Sequence, residues 1–555
     1  GYVSRIVVGP SGYGKMLWLR HPDGYYTTYA HLRNFNDAID AAVNKEQLRL
    51  QRYPITIDCN PSDFPVQKGD VIAFTGETGT GSPHLHFEIR DENKDFINPL
   101  LCKQFTFADD SIPRINRIAL SPLGENSLIE GSFDDYTVSV RNPIRPSITL
   151  AETLHASGTF GFSVDARDRI NFSRFRNGVY SHKLFLDDSL IYSVQLNRAP
   201  STDDYQIGLY YDYGLMSEEE GRYEKLYMDS PNRLPFYQPK QVGAGIINTE
   251  KFTQGVHHFK IISSDFARNT TQVTGTIVFY QPYDISIAAS KGLLSIIPAP
   301  EDLHLRFRMF AKSSGKRKPA WKQYDITTSR QPFDYSKIAR TSDVLRVVAL
   351  DSLGSPSLPR FIYPRRADNA TSGIEFDHQI HPDYVRILVR TKTQFSSPPY
   401  LVLSEGNASR NIVLTPVDDD AYAGTFKPQE GFNGTRTVTM VNGKGSKEEN
   451  NYQIDLYPLI PTHSAEIRFD NGNLIVNADS ASMFRTTFME IRKKHGSQNA
   501  YSLLPRFAIV DRGLTIKLRS ENSSANEAIY FRGRSSRWSL LQTERSGNYL
   551  VAQLT

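Results

Sequence analysis

Cysteine and methionine are nearly absent from this chain, with two and seven among 555 residues. Cys59 and Cys102 cannot build a zinc knuckle, and no C-x-x-C pair exists. They read either as two unrelated small residues or as one disulfide within the first hundred residues, which an exported protein would permit. Long apolar runs are missing too: no stretch of about 18 apolar residues occurs, so no membrane-spanning helix is expected. Neither sign of charge is in excess. The 64 basic and 60 acidic residues leave +4, too little over this length to argue for nucleic acid. H-E-x-x-H, G-x-S-x-G and nucleotide fingerprints are all lacking. The glycine-rich run from Gly76 to Gly81 lacks the Lys-Ser/Thr and helix of a phosphate loop. No initiator methionine or basic-then-apolar leader opens the chain, and both ends lie inside strand-like sequence, so a fragment of a longer protein is expected.

Aromatic residues are plentiful instead. The 29 tyrosines and 31 phenylalanines favour strands, while 39% hydrophobic and 22% charged residues are the balance of a folded protein. The length suggests about three to five domains. The expected fold is mainly β and multi-domain: an antiparallel-sheet unit over 1–103, then β-sandwich modules of immunoglobulin or fibronectin type. In the first unit, Met16-Leu17-Trp18-Leu19-Arg20 and Tyr25-Tyr26-Thr27-Thr28-Tyr29-Ala30 flank the turn His21-Pro22-Asp23-Gly24. Phe35, Ile39 and Val43 recur every four residues, which predicts an amphipathic helix over 36–52 inside an insertion spanning 33–60. Beyond Pro99 helical periodicity fades, and short alternating runs predict modules over 104–281, 282–366, 367–460 and 461–555, the last incomplete. Gly161–Ala166, Lys183–Asp187 and Val256–Ile262 read as strands of the first module, and 198–245 as a long Tyr- and Pro-rich insertion in it. Asp265-Phe266-Ala267-Arg268-Asn269 resembles the D-x-x-x-N corner of bacterial immunoglobulin-like domains.

The chemistry concentrates in Pro83-His84-Leu85-His86-Phe87-Glu88-Ile89. Residues two apart in a strand share a face, so Leu85, Phe87 and Ile89 are expected in the core with His84, His86 and Glu88 opposite. Neighbouring imidazoles suit a divalent metal and the polarisation of its water. Four further segments accompany the pair in order: Tyr29-Ala30-His31-Leu32, Val66-Gln67-Lys68-Gly69-Asp70, Gly76-Glu77-Thr78-Gly79 and Ile97-Asn98-Pro99-Leu100. In order and wording they resemble the LytM/lysostaphin-type zinc endopeptidases, over about 100 residues. The resemblance implies a zinc-dependent peptidase that cuts peptide cross-links of peptidoglycan outside the cytoplasm, in the periplasm, at the envelope or after secretion. By its motif match His86 is a zinc ligand, while His84 and His31 flank the attacking water as catalytic residues. The family's other ligands, from an H-x-x-x-D segment, are expected upstream of Gly1. His21 and Asp23 do not replace them, because they sit in a hairpin turn. A second reading is a catalytically silent envelope-binding protein, as amidase activators of this fold are. The insertion after His31 and the linker Asp110-Ser111-Ile112-Pro113-Arg114-Ile115 resemble a bacterial subgroup that continues into immunoglobulin-like modules. The insertion is expected to wall the substrate groove or to cover the sheet, and the β modules to meet cell-envelope partners.

Three other clusters are weaker. Asp377, His378, His381 and Asp383 surround Pro382 in an expected solvated turn rather than a metal site. His257 and His258 alternate across a strand, so their rings should face opposite ways. Lys312 to Lys318 reads as the solvated tip of a hairpin, or as a patch for anionic cell-wall polymer.

Overall fold

The computed structural model describes residues 1–555 except 80–81, 103–104, 106–107, 172, 174, 203, 219–220, 230–231, 240–243, 299–304, 313–321, 329–331, 343, 365–372, 383, 392–398, 419–420, 442–446, 495, 497–498, 506–507, 509, 521–526, 533–537 and 555. The basic run Lys312 to Lys318 therefore lies almost wholly outside the described residues. The fold is mainly β, built from many separate sheets.

The first unit comprises β1 (Tyr2–Val8), β2 (Lys15–Arg20), β3 (Tyr26–Ala30), β4 (Leu32–Phe35), α1 (Asp37–Leu50), β5 (Ile55–Asp58), β6 (Ala73–Thr75), β7 (His86–Arg90) and β8 (Phe96–Ile97). Its antiparallel sheet runs β8-β7-β3-β2-β1-β5, and β4 pairs with β6 beside it. In β1 the register shifts between Val3 and Arg5, a bulge that lets Val3 and Ile6 both face inward although strict alternation would separate them. They pack with Val8, Leu17, Leu19 and Phe35 beneath Ile39 and Val43 of α1. The helix starts where Asn36 Oδ1 accepts the Ile39 N–H at 3.1 Å, with Asp37 and Asp40 favourably placed in its first turn. The insertion thus covers the sheet, and its last strand, β5, extends it. Cys59 and Cys102 are free thiols.

The next module is a sandwich around one core cluster that includes Phe160, Phe162, Tyr192 and Phe259. The expected strands fall in Ser181–Leu186 and Gly255–Ser264, paired in one sheet, and in Thr159–Arg167, in the facing sheet. Segment 198–245 is woven into both layers rather than appended. Tyr223–Lys225 pairs with Thr159–Arg167, Tyr237–Gln238 pairs with Ser189–Gln195, and Tyr210, Leu226 and Phe236 are core residues. Its aromatic residues fill the sandwich without the period of a long strand, so their pattern resembles a loop.

The same segment also reaches back. Strand Arg198–Ala199 pairs with β8, Asn98 Nδ2 donates to Leu196 O at 2.9 Å, and Arg198 meets Asp91 at 2.7 Å. Sheets follow over 285–362, 375–504 and 465–554, and the long strand Lys447–Leu459 pairs in turn with Gly434–Val441 and Thr487–Lys493. Arg436 is fully buried in the second of these, over 375–504, against Glu405. No helix among the described residues is long and apolar enough to cross a membrane.

Candidate active site

Sheet pairing assembles the histidines. Ala30, the last residue of β3, pairs with His86, the first of β7. His31 follows in the left-handed region at φ +60°, a conformation that a non-glycine residue adopts only under external constraint. The constraint is visible: its N–H donates to Tyr13 O at 3.0 Å. His84 lies ahead of the strand, its N–H bonded to Gly76 O at 3.0 Å. The His31 ring centroid ends 4.6 Å from that of His84 and 5.4 Å from that of His86.

Each ring has one nitrogen committed to an oxygen. His31 Nδ1 lies 3.0 Å from Thr78 O, and His84 Nδ1 lies 2.8 Å from Ser82 O. Carbonyl oxygens only accept, so both Nδ1 atoms carry a proton, and Nε2 of each neutral ring keeps its lone pair. His86 is the reverse. Its Nε2 sits 2.7 Å from Glu88 Oε1, which assigns the proton to Nε2 and the lone pair to Nδ1.

Glu88 is the support of that arrangement. It is buried, and accepts from Tyr13 Oη at 2.7 Å and from Arg90 at 2.8 Å. Burial alone would raise its carboxyl, but the bonds from His86 and Tyr13 and the Arg90 charge outweigh it and hold the group down at about 2. Burial, reinforced by Glu88, raises the Tyr13 phenol, so Tyr13 remains a donor. Arg90 is clamped in turn between Phe96 and Trp18, 3.8 and 5.2 Å from the ring centroids. Of this support only Glu88 was signalled by spacing from His86; Arg90 closes the same motif run without a role marked by it, and Tyr13 lies outside the motifs. One packing expectation is overturned. Leu85 is 50% exposed, because β7 begins only at His86 and the residues before it leave the sheet.

Two glycine turns lock the loop that orients His31. A Cβ at Gly14, where φ is +62°, would lie 2.2 Å from Thr78 O, the atom that accepts from His31. Thr78 Oγ1 also accepts the Lys15 N–H at 2.9 Å and donates to Leu32 O at 2.7 Å. Gly14→Ala should therefore destabilise this corner by more than about 1 kcal/mol, through both the positive φ and the clash. Faster hydrogen exchange at the Lys15 amide would register it; unchanged protection would contradict the packing.

No family model matches the chain. Over 89 residues, 16% of the chain, it is 34% identical to lipoprotein NlpD of Yersinia enterocolitica, and the match takes in 67% of that protein. The chain belongs to the NlpD family. It is also 35% identical over 89 residues to murein hydrolase activator NlpD of Escherichia coli K12, and spans 17% of that relative's length. Over 90 residues it is 32% identical to DD-carboxypeptidase/endopeptidase Mpg of Neisseria meningitidis serogroup B, spanning 15% of it. Solved structures of a bacterial ice-binding adhesin and of a tandem repeat from a large adhesion protein align over 60% and 74% of the chain and 98% of each of theirs. Their identity is 11% in both cases and their TM-scores are 0.12 and 0.13, too low to carry an argument.

Within this NlpD-family unit the histidines fit a metal in part. His86 Nδ1 is a free lone pair with its opposite nitrogen on a carboxylate, the usual support of a metal-bound imidazole. The rest of a donor set is not assembled: the three histidines do not form a group with ligand atoms within 4.8 Å of one another. Nor is any of the 13 histidines followed four residues later by aspartate.

The weaker clusters resolve separately. Asp377 and His378 lie in strand Glu375–Ile380, not in a solvated turn, because Ile374, Phe376 and Ile380 pack on the module core. His378 is buried against Tyr452 Oη at 2.7 Å and Glu490 at 3.0 Å. His381 stacks on Tyr384, and burial pushes its imidazole down to about 4. Asp383 lies outside the described residues. His257 is buried, bonding Asp187 and Thr253 O, while His258 is exposed, so the two do face apart.

Proposed function

We propose that the β1–β8 unit is the catalytic part of an extracytoplasmic zinc peptidase that cleaves peptide cross-links of peptidoglycan, with the β modules as its arms. The observation that carries the reading is the common preparation of three histidines, each with one nitrogen held and the other left with a lone pair. Relatives named for murein hydrolase activation and for DD-carboxypeptidase/endopeptidase activity support the substrate class. In this reading His86 offers Nδ1 to zinc, and the remaining His and Asp ligands come from sequence upstream of Gly1. Zinc, when bound, supplies Lewis acidity toward a scissile carbonyl. His31 and His84 present Nε2, where a neutral ring takes a proton from an incoming water and can return it to the departing amine. Tyr13, Glu88 and Arg90 fix the orientation of His86.

A second reading, activation of an amidase without catalysis, is favoured by the names of the NlpD relatives. Purified sacculi incubated with the full-length protein separate the two. Soluble fragments with cut peptide cross-links, formed with no amidase present, are expected. Release only after an amidase is added would overturn the peptidase reading.

A further inference from the structure

A second constellation lies at one end of the first sandwich, apart from the histidines. Asp109 belongs to the linker that leaves the first unit. Asp168 follows strand Thr159–Arg167, and Asp265 opens the turn between Gly255–Ser264 and Thr270–Phe279. Their carboxylate oxygens lie within 4.8 Å of one another, one from each residue. Asp168 is 7% exposed and Asp265 is 3% exposed. Bringing such groups together away from water is costly unless a positive charge compensates them. Among the described residues no lysine or arginine side chain is paired with any of the three.

Most of the surrounding hydrogen-bonding capacity is used. Asp265 Oδ1 and Oδ2 accept from the backbone and side chain of Asn269 at 2.8 and 2.7 Å, which is the corner expected from the D-x-x-x-N motif. Asn269 Nδ2 also donates to Asp109 O at 3.0 Å, and Asp109 Oδ1 accepts the Ser111 N–H at 3.1 Å. Asp168 Oδ1 is the exception, buried with no hydrogen-bond partner. Its carboxyl is pushed up to about 6 by burial, with the charges of Asp265 and Asp109 adding to it. A buried carboxyl with one oxygen unpartnered, grouped with two further carboxylates, is the arrangement that a cation satisfies.

We propose that Asp109, Asp168 and Asp265 form a calcium site that pins the linker to the end of the sandwich. The donors are oxygen only, which selects a hard cation over zinc or copper. Calcium bonds of about 2.3–2.6 Å allow ligand oxygens to stand up to about 5 Å apart across the ion, and waters complete its six to eight positions. Because Asp109 comes from the linker and the other two from the sandwich, occupancy fixes how the histidine-bearing unit leads into its first arm.

Equilibrium dialysis of the EDTA-treated, desalted full chain against calcium tests the site. One calcium per chain is expected, with weaker retention of magnesium, which tolerates wide oxygen spacing poorly. Asp168→Asn, close in shape but uncharged, should abolish this calcium. Without the ion its sandwich amides should exchange no faster than those of the parent chain, since the substitution removes a repelling charge. Asp109→Asn, on the half-buried linker, should weaken binding at least about tenfold while leaving the sandwich core untouched. Failure of the parent chain to retain calcium would overturn the site, as would calcium bound equally by both variants. Neither readout depends on hydrolysis or on zinc.

Discussion

In the full-length protein, His31→Ala is expected to keep its zinc and lose peptide hydrolysis by about 10²–10⁴-fold, the usual worth of a positioned general acid–base. His86→Ala should lose the metal and the activity together. The contrast follows from the nitrogens. His86 has its lone pair on Nδ1 and a carboxylate behind Nε2, whereas His31 has its Nδ1 proton fixed on Thr78 O. Metal content measured beside sacculus hydrolysis reads both roles. Because position 31 sits at φ +60°, His31→Asn is a useful companion: asparagine tolerates that backbone but cannot relay the proton. Zinc lost from both position-31 variants would make His31 a ligand, and hydrolysis retained in His86→Ala would remove His86 from the site.

The second large effect lies far from the histidines. Arg436→Ala should destabilise its module by about 3–5 kcal/mol, the cost of removing one member of a buried ion pair. Arg436 is fully buried, and Nε meets Glu405 Oε1 at 2.8 Å. Its Nη1 donates to Gly434 O and Leu456 O, and its Nη2 to Gln429 O and Phe432 O. One guanidinium thus ties a strand, its neighbour and a loop. Arg436→Lys should recover little, because an ammonium cannot span that planar fan of acceptors. The double variant Glu405→Leu/Arg436→Met should recover only part, since the backbone carbonyls would still be unsatisfied. Hydrogen exchange over 400–456 is the appropriate measure, because a chain of several modules has no single unfolding transition. Unchanged protection in Arg436→Ala would show that the pair contributes little.

The histidine site was legible because its residues sit in short motifs, and Glu88 because it shares a strand face with His86. Tyr13 was not, nor was the role of Thr78 within its motif, since both act through two glycine turns more than 60 residues apart that touch only in three dimensions. Leu85 misled because alternation was extended past the start of β7. The same limit hid Glu375–Ile380, where Phe376 and Ile380 look isolated among polar residues. Segment 198–245 defeated period-based reading altogether: its buried aromatics serve two sheets without forming a regular run in either.

The short pairing of Arg198–Ala199 with β8 has a consequence beyond connectivity. A bare outer strand offers its N–H and C=O groups to any extended chain, including another copy of the same protein. Here that outer position is already taken by a loop of the neighbouring sandwich, reinforced by Arg198 on Asp91 and Asn98 on Leu196 O. A fragment cut after residue 103 would retain His31, His84 and His86 but expose the strand, so solubility, rather than chemistry, would govern its behaviour when expressed alone.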